Sequence, residues 1–178
     1  MVPGRLFGRI PYVVTTPTPN PDMSLSKYLY ELTDRQMTIL GLAATAYTNG
    51  AIADILLLTP QSVREYFNRI YMKMSIQPDG MDSRVVAART YRFEFPFEVA
   101  DREAGFVGLN PYDREVLKWL AEGYSNGEIA RRMGSTIRKI NGYFRRGIYG
   151  KMVLPKTIKP DNERVNKRVL AMLLADRV

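Results

Sequence analysis

Cysteine and histidine are both absent from this chain of 178 residues. Without cysteine there is no disulfide, thiolate metal site or thiol nucleophile, and the composition is compatible with a reducing compartment. Without histidine, the Cys/His zinc sites, the histidine-based triads and the most versatile general base are gone as well. No apolar run approaches the roughly 20 residues that a membrane-spanning helix needs, so no membrane association is expected. The first twenty residues alternate Pro, Thr and Gly where a secretory signal would place a basic segment and an apolar core. No acidic pair or activated nucleophile is evident. A protein without catalysis, metal or cofactor is expected, working in the cytoplasm.

What the chain does have is positive charge, unevenly spread. The net charge is +8 and the isoelectric point about 9.8. Residues 109–178 hold 15 Lys/Arg against 7 Asp/Glu, whereas residues 32–91 hold 6 against 5. The whole excess therefore lies in the last seventy residues, and a local surplus of this kind points to a polyanionic partner, nucleic acid first.

Sliding the sequence against itself by 77 positions brings one segment into register without a gap. Tyr47-Thr48-Asn49-Gly50-Ala51-Ile52-Ala53 meets Tyr124-Ser125-Asn126-Gly127-Glu128-Ile129-Ala130, and Tyr66-Phe67-Asn68-Arg69 meets Tyr143-Phe144-Arg145-Arg146. Twelve positions are identical across 32–69. One inserted residue near Gly147 then restores the match of Ile70-Tyr71-Met72-Lys73-Met74 to Ile148-Tyr149-Gly150-Lys151-Met152. Two copies of one module are the economical explanation.

Capping chemistry marks the same helices in both copies. Thr33 with Gln36 reads as a capping box, and Asn110 before Pro111 as an N-cap with proline at the first helical position. Ser125 with Glu128 predicts a second box opening a short helix through Met133, with Asn49–Leu57 as its counterpart. Thr59-Pro60 opens a longer helix to about Met74, and its counterpart runs from about Thr136 to Met152. A fourth helix is predicted at about Asp82–Tyr91 and again at Asp161–Ala175, where Val165, Val169, Met172 and Leu173 line one face. Two short helices, a tight turn and a longer helix with Arg and Tyr on its surface make a helix-turn-helix outline.

The stretch from Leu109 to Met133, LNPYDREVLKWLAEGYSNGEIARRM, resembles the opening of the LuxR/GerE (NarL-like) family of transcription regulators. Thr59 to Met74, TPQSVREYFNRIYMKM, is similar to the recognition segment of that family. The resemblance implies an all-α chain of two tandem four-helix LuxR/GerE-type domains, of bacterial or phage origin, each with a third helix that enters the major groove. It also implies base-reading positions, which fall by alignment on Arg64, Glu65 and Asn68 in the first copy and on Asn141, Gly142 and Arg145 in the second. Arginine is suited to guanine O6/N7 and asparagine to adenine N6/N7. Ser62, Arg69, Lys73, Arg138, Lys139, Arg146, Lys151 and Lys156 are expected to touch phosphates and set the register. Two departures stand out. Tyr66 and Tyr143 replace the histidine usual in the family, and Gly142, Gly147 and Gly150 predict a third helix in copy two that is short, bent or ordered only on DNA.

The organisation expected is a flexible arm over 1–31, domain one over 32–91, a partly ordered linker over 92–108 and a basic domain two over 109–178. In the linker, Phe93, Phe95 and Phe97 alternate with Arg92, Glu94 and Pro96 in a strand-like pattern that should pack on one or both domains. The expected function is sequence-specific binding of double-stranded DNA in transcription regulation, at the nucleoid, with two recognition helices from one chain. The alternative is a protein-interaction factor that binds RNA polymerase or another regulator through the near-neutral first domain. A homodimer through the fourth helix is a further expectation.

Overall fold

The computed structural model describes residues 12–13, 25–77, 79–99, 103–154, 164–175 and 178. A short strand β1 (Tyr12–Val13) is followed by a 3-10 turn (Ser26–Glu31) and four helices: α1 (Asp34–Ala44), α2 (Asn49–Leu56), α3 (Pro60–Lys73) and α4 (Ser83–Glu94). Strands β2 (Glu98–Val99) and β3 (Gly105–Phe106) lead to α5 (Pro111–Ala121), α6 (Asn126–Arg132) and α7 (Ile137–Gly142). A π-helical turn (Tyr143–Ile148), strand β4 (Met152–Val153) and helix α8 (Lys167–Leu174) complete the order. The architecture is mostly helical, as expected, but the all-α reading needs one correction. β1 pairs antiparallel with β2 and β3 with β4, each over two residues.

Each helix starts where a side chain accepts an otherwise orphaned N–H. Thr33, Thr48 and Thr59 cap α1, α2 and α3, while Asn110, Ser125 and Thr136 cap α5, α6 and α7 at the positions 77 residues on. Asp82 and Asn166 cap α4 and α8. The box predicted at Ser125 is half formed: Ser125 accepts from the Glu128 N–H, but the Glu128 carboxylate turns to Arg131 and Arg132. Left-handed residues recur in the same register. Ala46 and Gly123 lie at φ 67° and 96°, and Leu57 and Gly134 at 54° and 57°.

The inserted residue near Gly147 has a structural counterpart. In α3 the buried positions Val63, Phe67, Ile70 and Met74 are spaced four, three and four, which an α-helix keeps on one face. In the second repeat Ile140, Phe144, Ile148 and Met152 are buried at a strict spacing of four. An α-helix advances about 100° per residue, so three such steps carry the last residue about 120° off the core face. The wider π turn absorbs that drift, as π-bulges do. The single helix expected from Thr136 to Met152 is therefore corrected: its α-helical part ends at Gly142, followed by six π-helical residues.

Three boundaries also move. The end of the expected flexible arm is folded, with Leu29 fully buried and the Tyr30 hydroxyl donating to Glu94. α4 runs on to Glu94, so Arg92 and Phe93 are helical rather than strand-like. Beyond it, Phe95 packs on Tyr91 with ring centroids 4.9 Å apart, and Phe97 is buried. α8 begins at Lys167, six residues later than expected.

One hydrophobic core runs through both repeats, including Ile39, Leu40, Ile52 and Ile70 from the first and Leu117, Leu120, Ile129 and Ile148 from the second. Side chains of this kind, fully buried, contribute on the order of 1.5–3 kcal/mol each. The repeats meet through α4 and α8 and through the backbone just before each of them. The Asp82 N–H donates to Gly123 O at 2.8 Å, and the Ser125 N–H to Gly80 O at 2.8 Å. The equivalent bonds run the other way: Asn166 N–H to Ala46 O at 2.6 Å, and Thr48 N–H to Arg164 O at 2.8 Å. A β-bridge accompanies each pair, Met81 to Tyr124 and Val165 to Tyr47. Gly123 is held close: a side chain there would meet Val86 Cγ2 at 2.9 Å.

Candidate nucleic-acid interface

α3 is amphipathic, and its capping fixes which face is presented. Thr59 accepts from the Ser62 N–H with Pro60 at the first position, and Val63, Phe67 and Ile70 turn into the core. Gln61, Arg64, Glu65, Asn68, Arg69 and Lys73 are consequently exposed. Gln61 organises the first turn, accepting from Arg64 Nη1 at 3.2 Å and donating from Nε2 to Glu65 Oε1 at 3.2 Å. Ser62 is half-buried, its hydroxyl 2.9 Å from that of Thr59. Arg69 lies over the Tyr66 ring at 6.0 Å, and Lys73 donates to the Glu31 carbonyl at 2.9 Å. Arg64, Glu65, Asn68 and Arg69 thus share one exposed surface, while Ser62 and Lys73 are engaged at its ends.

In the second repeat Thr136 caps α7 by accepting from the Lys139 N–H. Arg138, Lys139, Asn141, Arg145 and Arg146 are exposed, whereas Gly142 is half-buried against the Arg146 guanidinium, 3.4 Å from where a Cβ would stand. Asn141 Oδ1 accepts from Asn126 Nδ2 at 2.6 Å, and Asn126 Oδ1 in turn accepts from Arg168 Nη1 at 2.5 Å. Lys151 sits apart from the exposed cations, paired at 2.6 Å with the buried Asp113 carboxylate. Lys156 lies outside the described residues.

Part of the positive surplus is locally compensated. The Glu128 carboxylate receives Arg131 at 2.6 Å and Arg132 at 2.9 Å. The Arg131 hydrogen bond, outweighing partial desolvation and aided by the charges of both arginines, holds that carboxyl down to about 2. The Arg132 guanidinium also stacks on Tyr124 at 4.0 Å and on Trp119 at 4.7 Å. Trp119 accordingly packs against Arg132 and Tyr124. Among the described residues, Arg138, Lys139, Arg145 and Arg146 of α7 and the π turn remain exposed.

Two arginines that sequence reasoning passed over hold these surfaces in place. Arg84 Nη2 donates to the Tyr47 carbonyl and Nη1 to Asn49 Oδ1, both at 2.5 Å, with its guanidinium 4.5 Å from the Phe67 ring. Arg168 does the same with Tyr124 O (2.6 Å), Asn126 Oδ1 (2.5 Å) and the Phe144 ring (5.2 Å). Each ties its fourth helix to the second and third helices of its own repeat. Burial lowers the pKa of Arg84 from its usual value. The signal was an arginine two residues after an Asp or Asn cap, Asp82-Ser83-Arg84 and Asn166-Lys167-Arg168.

Residues 30–90 match the family model of bacterial regulatory proteins of the luxR family, GerE. This segment carries a GerE/LuxR-type helix-turn-helix domain, spanning α1 to α3 and most of α4. No curated protein and no solved structure matches the chain. Among the described residues no helix is long and apolar enough to cross a membrane.

Proposed function

We propose, from the luxR-family domain over residues 30–90, that the chain is a sequence-specific double-stranded DNA-binding regulator of transcription that uses two recognition helices from one polypeptide. The observation that carries this reading is that the matched domain contains α3, where Arg64, Glu65 and Asn68 are exposed while Val63 and Phe67 are buried. The second repeat supports it through the same cap positions and through Arg138, Lys139, Arg145 and Arg146 on its exposed face. Here Arg64 and Arg145 read guanine, and Asn68 and Asn141 read adenine. Glu65 is placed to accept from a cytosine amino group, and Gly142 lets the backbone approach the base edges. Ser62, Arg69, Lys73, Arg138, Lys139 and Arg146 grip phosphates. Lys151 joins them only by leaving Asp113. The chain works at the nucleoid, without a catalytic step or cofactor.

The test is selection of bound duplexes from a random pool, followed by titration of the selected site with salt. Binding that recovers one sequence class, and whose logarithmic affinity falls linearly with the logarithm of salt concentration, is the expected result. Recovery of no sequence preference and no salt slope would refute it.

A second reading has one specific observation behind it. Leu57 holds a left-handed backbone and is 93% exposed at the turn between α2 and α3, with Ile55 exposed beside it. An exposed apolar residue kept in a costly conformation suits contact with another protein, such as RNA polymerase, through the near-neutral first repeat. Salt-insensitive co-purification with polymerase that Leu57→Gly abolishes would favour it.

A further inference from the structure

We infer that the chain is a covalently closed pseudo-dimer that reads two unlike half-sites in inverted, head-to-head orientation; this rests on the DNA reading above. The contacts between the repeats are reciprocal. The bond from Asp82 N–H to Gly123 O has its equivalent in Asn166 N–H to Ala46 O, and Ser125 N–H to Gly80 O has its equivalent in Thr48 N–H to Arg164 O. In each case the donor side of one repeat meets the acceptor side of the other, and the exchanged pair exists as well. Only an operation that is its own inverse produces this pattern. It is the isologous signature of a two-fold axis, whereas a head-to-tail translation leaves one surface of each kind unused. The axis passes between α4 and α8, which pack against each other.

The recognition elements inherit that relation. Arg84 and Arg168 bond to the residues that open α2 and α6 and lie over Phe67 of α3 and Phe144 of the π turn. Equivalent contacts thus tie the two reading surfaces to the helices beside the axis and relate them by the same rotation. Helices related by a two-fold axis meet the two strands of a duplex in opposite directions, with half-sites about one helical turn apart, roughly 34–36 Å. The side chains break the symmetry. Arg64, Glu65 and Asn68 in one half face Asn141, Gly142 and Arg145 in the other, and the π turn follows Gly142 in the second repeat only. The surface through which a second chain would add its fourth helix is occupied within the chain. The operator is therefore inverted in orientation but not palindromic in sequence, and one chain fills it.

The experiment starts from the duplex selected by the full-length chain. Three derivatives are compared with it: one half-site reversed in place to make a direct repeat, the half-sites moved apart by about five base pairs (half a turn), and one half-site replaced. Loss of simultaneous engagement lowers affinity at least about 100-fold in all three, and native mass spectrometry of the parent complex gives one chain per duplex. Asn68→Ala relaxes discrimination about 10-fold in one half-site and Arg145→Ala in the other. Equal affinity for inverted and direct repeats, or two chains per duplex, overturns the inference while leaving DNA binding intact. Failure of the DNA reading itself looks different: no duplex is enriched, no salt slope appears, and the inference falls with it.

Discussion

The contact that breaks the symmetry between the repeats is also the one whose energy can be worked out. Asp82 caps α4 by accepting from the Arg84 and Val85 N–H groups, and its other oxygen lies 2.7 Å from Arg168 Nε of the second repeat. Both side chains are mostly buried, 27% and 15% exposed. The position equivalent to Asp82 is Asn166, so Arg84 has no such carboxylate in exchange. Asp82→Asn keeps a cap of equal quality and removes only the charge. The contact is an ion pair and not a hydrogen bond, since Arg168 Nε has no hydrogen-bond partner. Partly buried, it lies between the roughly 0.2–1 kcal/mol of an exposed pair and the roughly 3–5 kcal/mol of breaking a fully buried one. We expect a loss of about 2 kcal/mol, or about 4–8 °C in Tm for a chain of this size. Because Asp82 also faces Arg84 electrostatically, the pair energy is isolated by a double-mutant cycle with Arg168→Met, read by urea unfolding. Arg168→Met alone costs more, about 3–5 kcal/mol, since it strands Asp82 and strips the Tyr124 carbonyl and Asn126 of their donor. A coupling energy below about 0.5 kcal/mol, or one that 0.5 M salt erases, would show that the ion pair does not clamp the two repeats together.

Other outcomes follow from single features. Leu57→Gly relieves a left-handed residue that buries almost nothing. Strain relief of about 1–2 kcal/mol exceeds glycine's entropic penalty of about 0.5–1 kcal/mol, so thermal unfolding should move upward; a lower Tm refutes the strain argument. Burial pushes the Tyr71 hydroxyl up to about 12, against a lowering influence of Arg84. The folded pKa is raised above the unfolded value near 10, so this contribution is intact below pH 10 and is lost as pH rises toward 12. Tyr71→Phe should flatten that alkaline limb of the stability profile, and an unchanged limb would assign it to Tyr91 or Tyr149, also raised by burial. Neutralising Arg138, Lys139, Arg145 and Arg146 together should reduce the salt slope of DNA binding more than changing Arg64 and Arg69 does. Equal flattening by the two sets would contradict the dominance of the second repeat in phosphate contact.

Most of the helices were legible because local chemistry specifies them. Thr33 with Gln36, Thr59 before Pro60 and Asn110 before Pro111 each announce a helix start, and α1, α3 and α5 begin there. Arg64, Glu65 and Asn68 were picked out by the resemblance to the family's recognition segment, and in α3 all three are exposed. What was not legible depends on partners distant in sequence. The last helix was expected from Asp161, yet α8 is capped by Asn166, whose N–H donates to the Ala46 carbonyl 120 residues away. The alternation of Phe93, Phe95 and Phe97 reads as a strand, yet α4 continues through Phe93 because its other face is buried between α1 and α8. Arg84 and Arg168 were overlooked for a similar reason: a charged residue early in a helix looks like solvated surface until the carbonyls of Tyr47 and Tyr124 come round to meet it.

The π turn lies between these cases. The sequence reveals an extra residue, since the register shifts from 77 to 78 near Gly147. An insertion can be spent in a loop or in a helix, and spacing does not choose between them until the buried face is known. Here the run from Ile140 through Phe144 and Ile148 to Met152 must stay buried while Asp113 holds Lys151 and β4 stays paired to β3. Both ends are anchored, so the extra residue is taken up inside the helix. Of the three glycines nearby, Gly150 is the one held close, since a Cβ there would stand 3.1 Å from the Arg146 carbonyl, whereas a Cβ at Gly142 or Gly147 would make ordinary contact with Arg146 or Tyr143. The second repeat thus keeps Ile140, Phe144, Ile148 and Met152 buried through the π turn, with Gly150 admitting the close Arg146 carbonyl, while Arg145 and Arg146 are presented on a surface unlike that of the first.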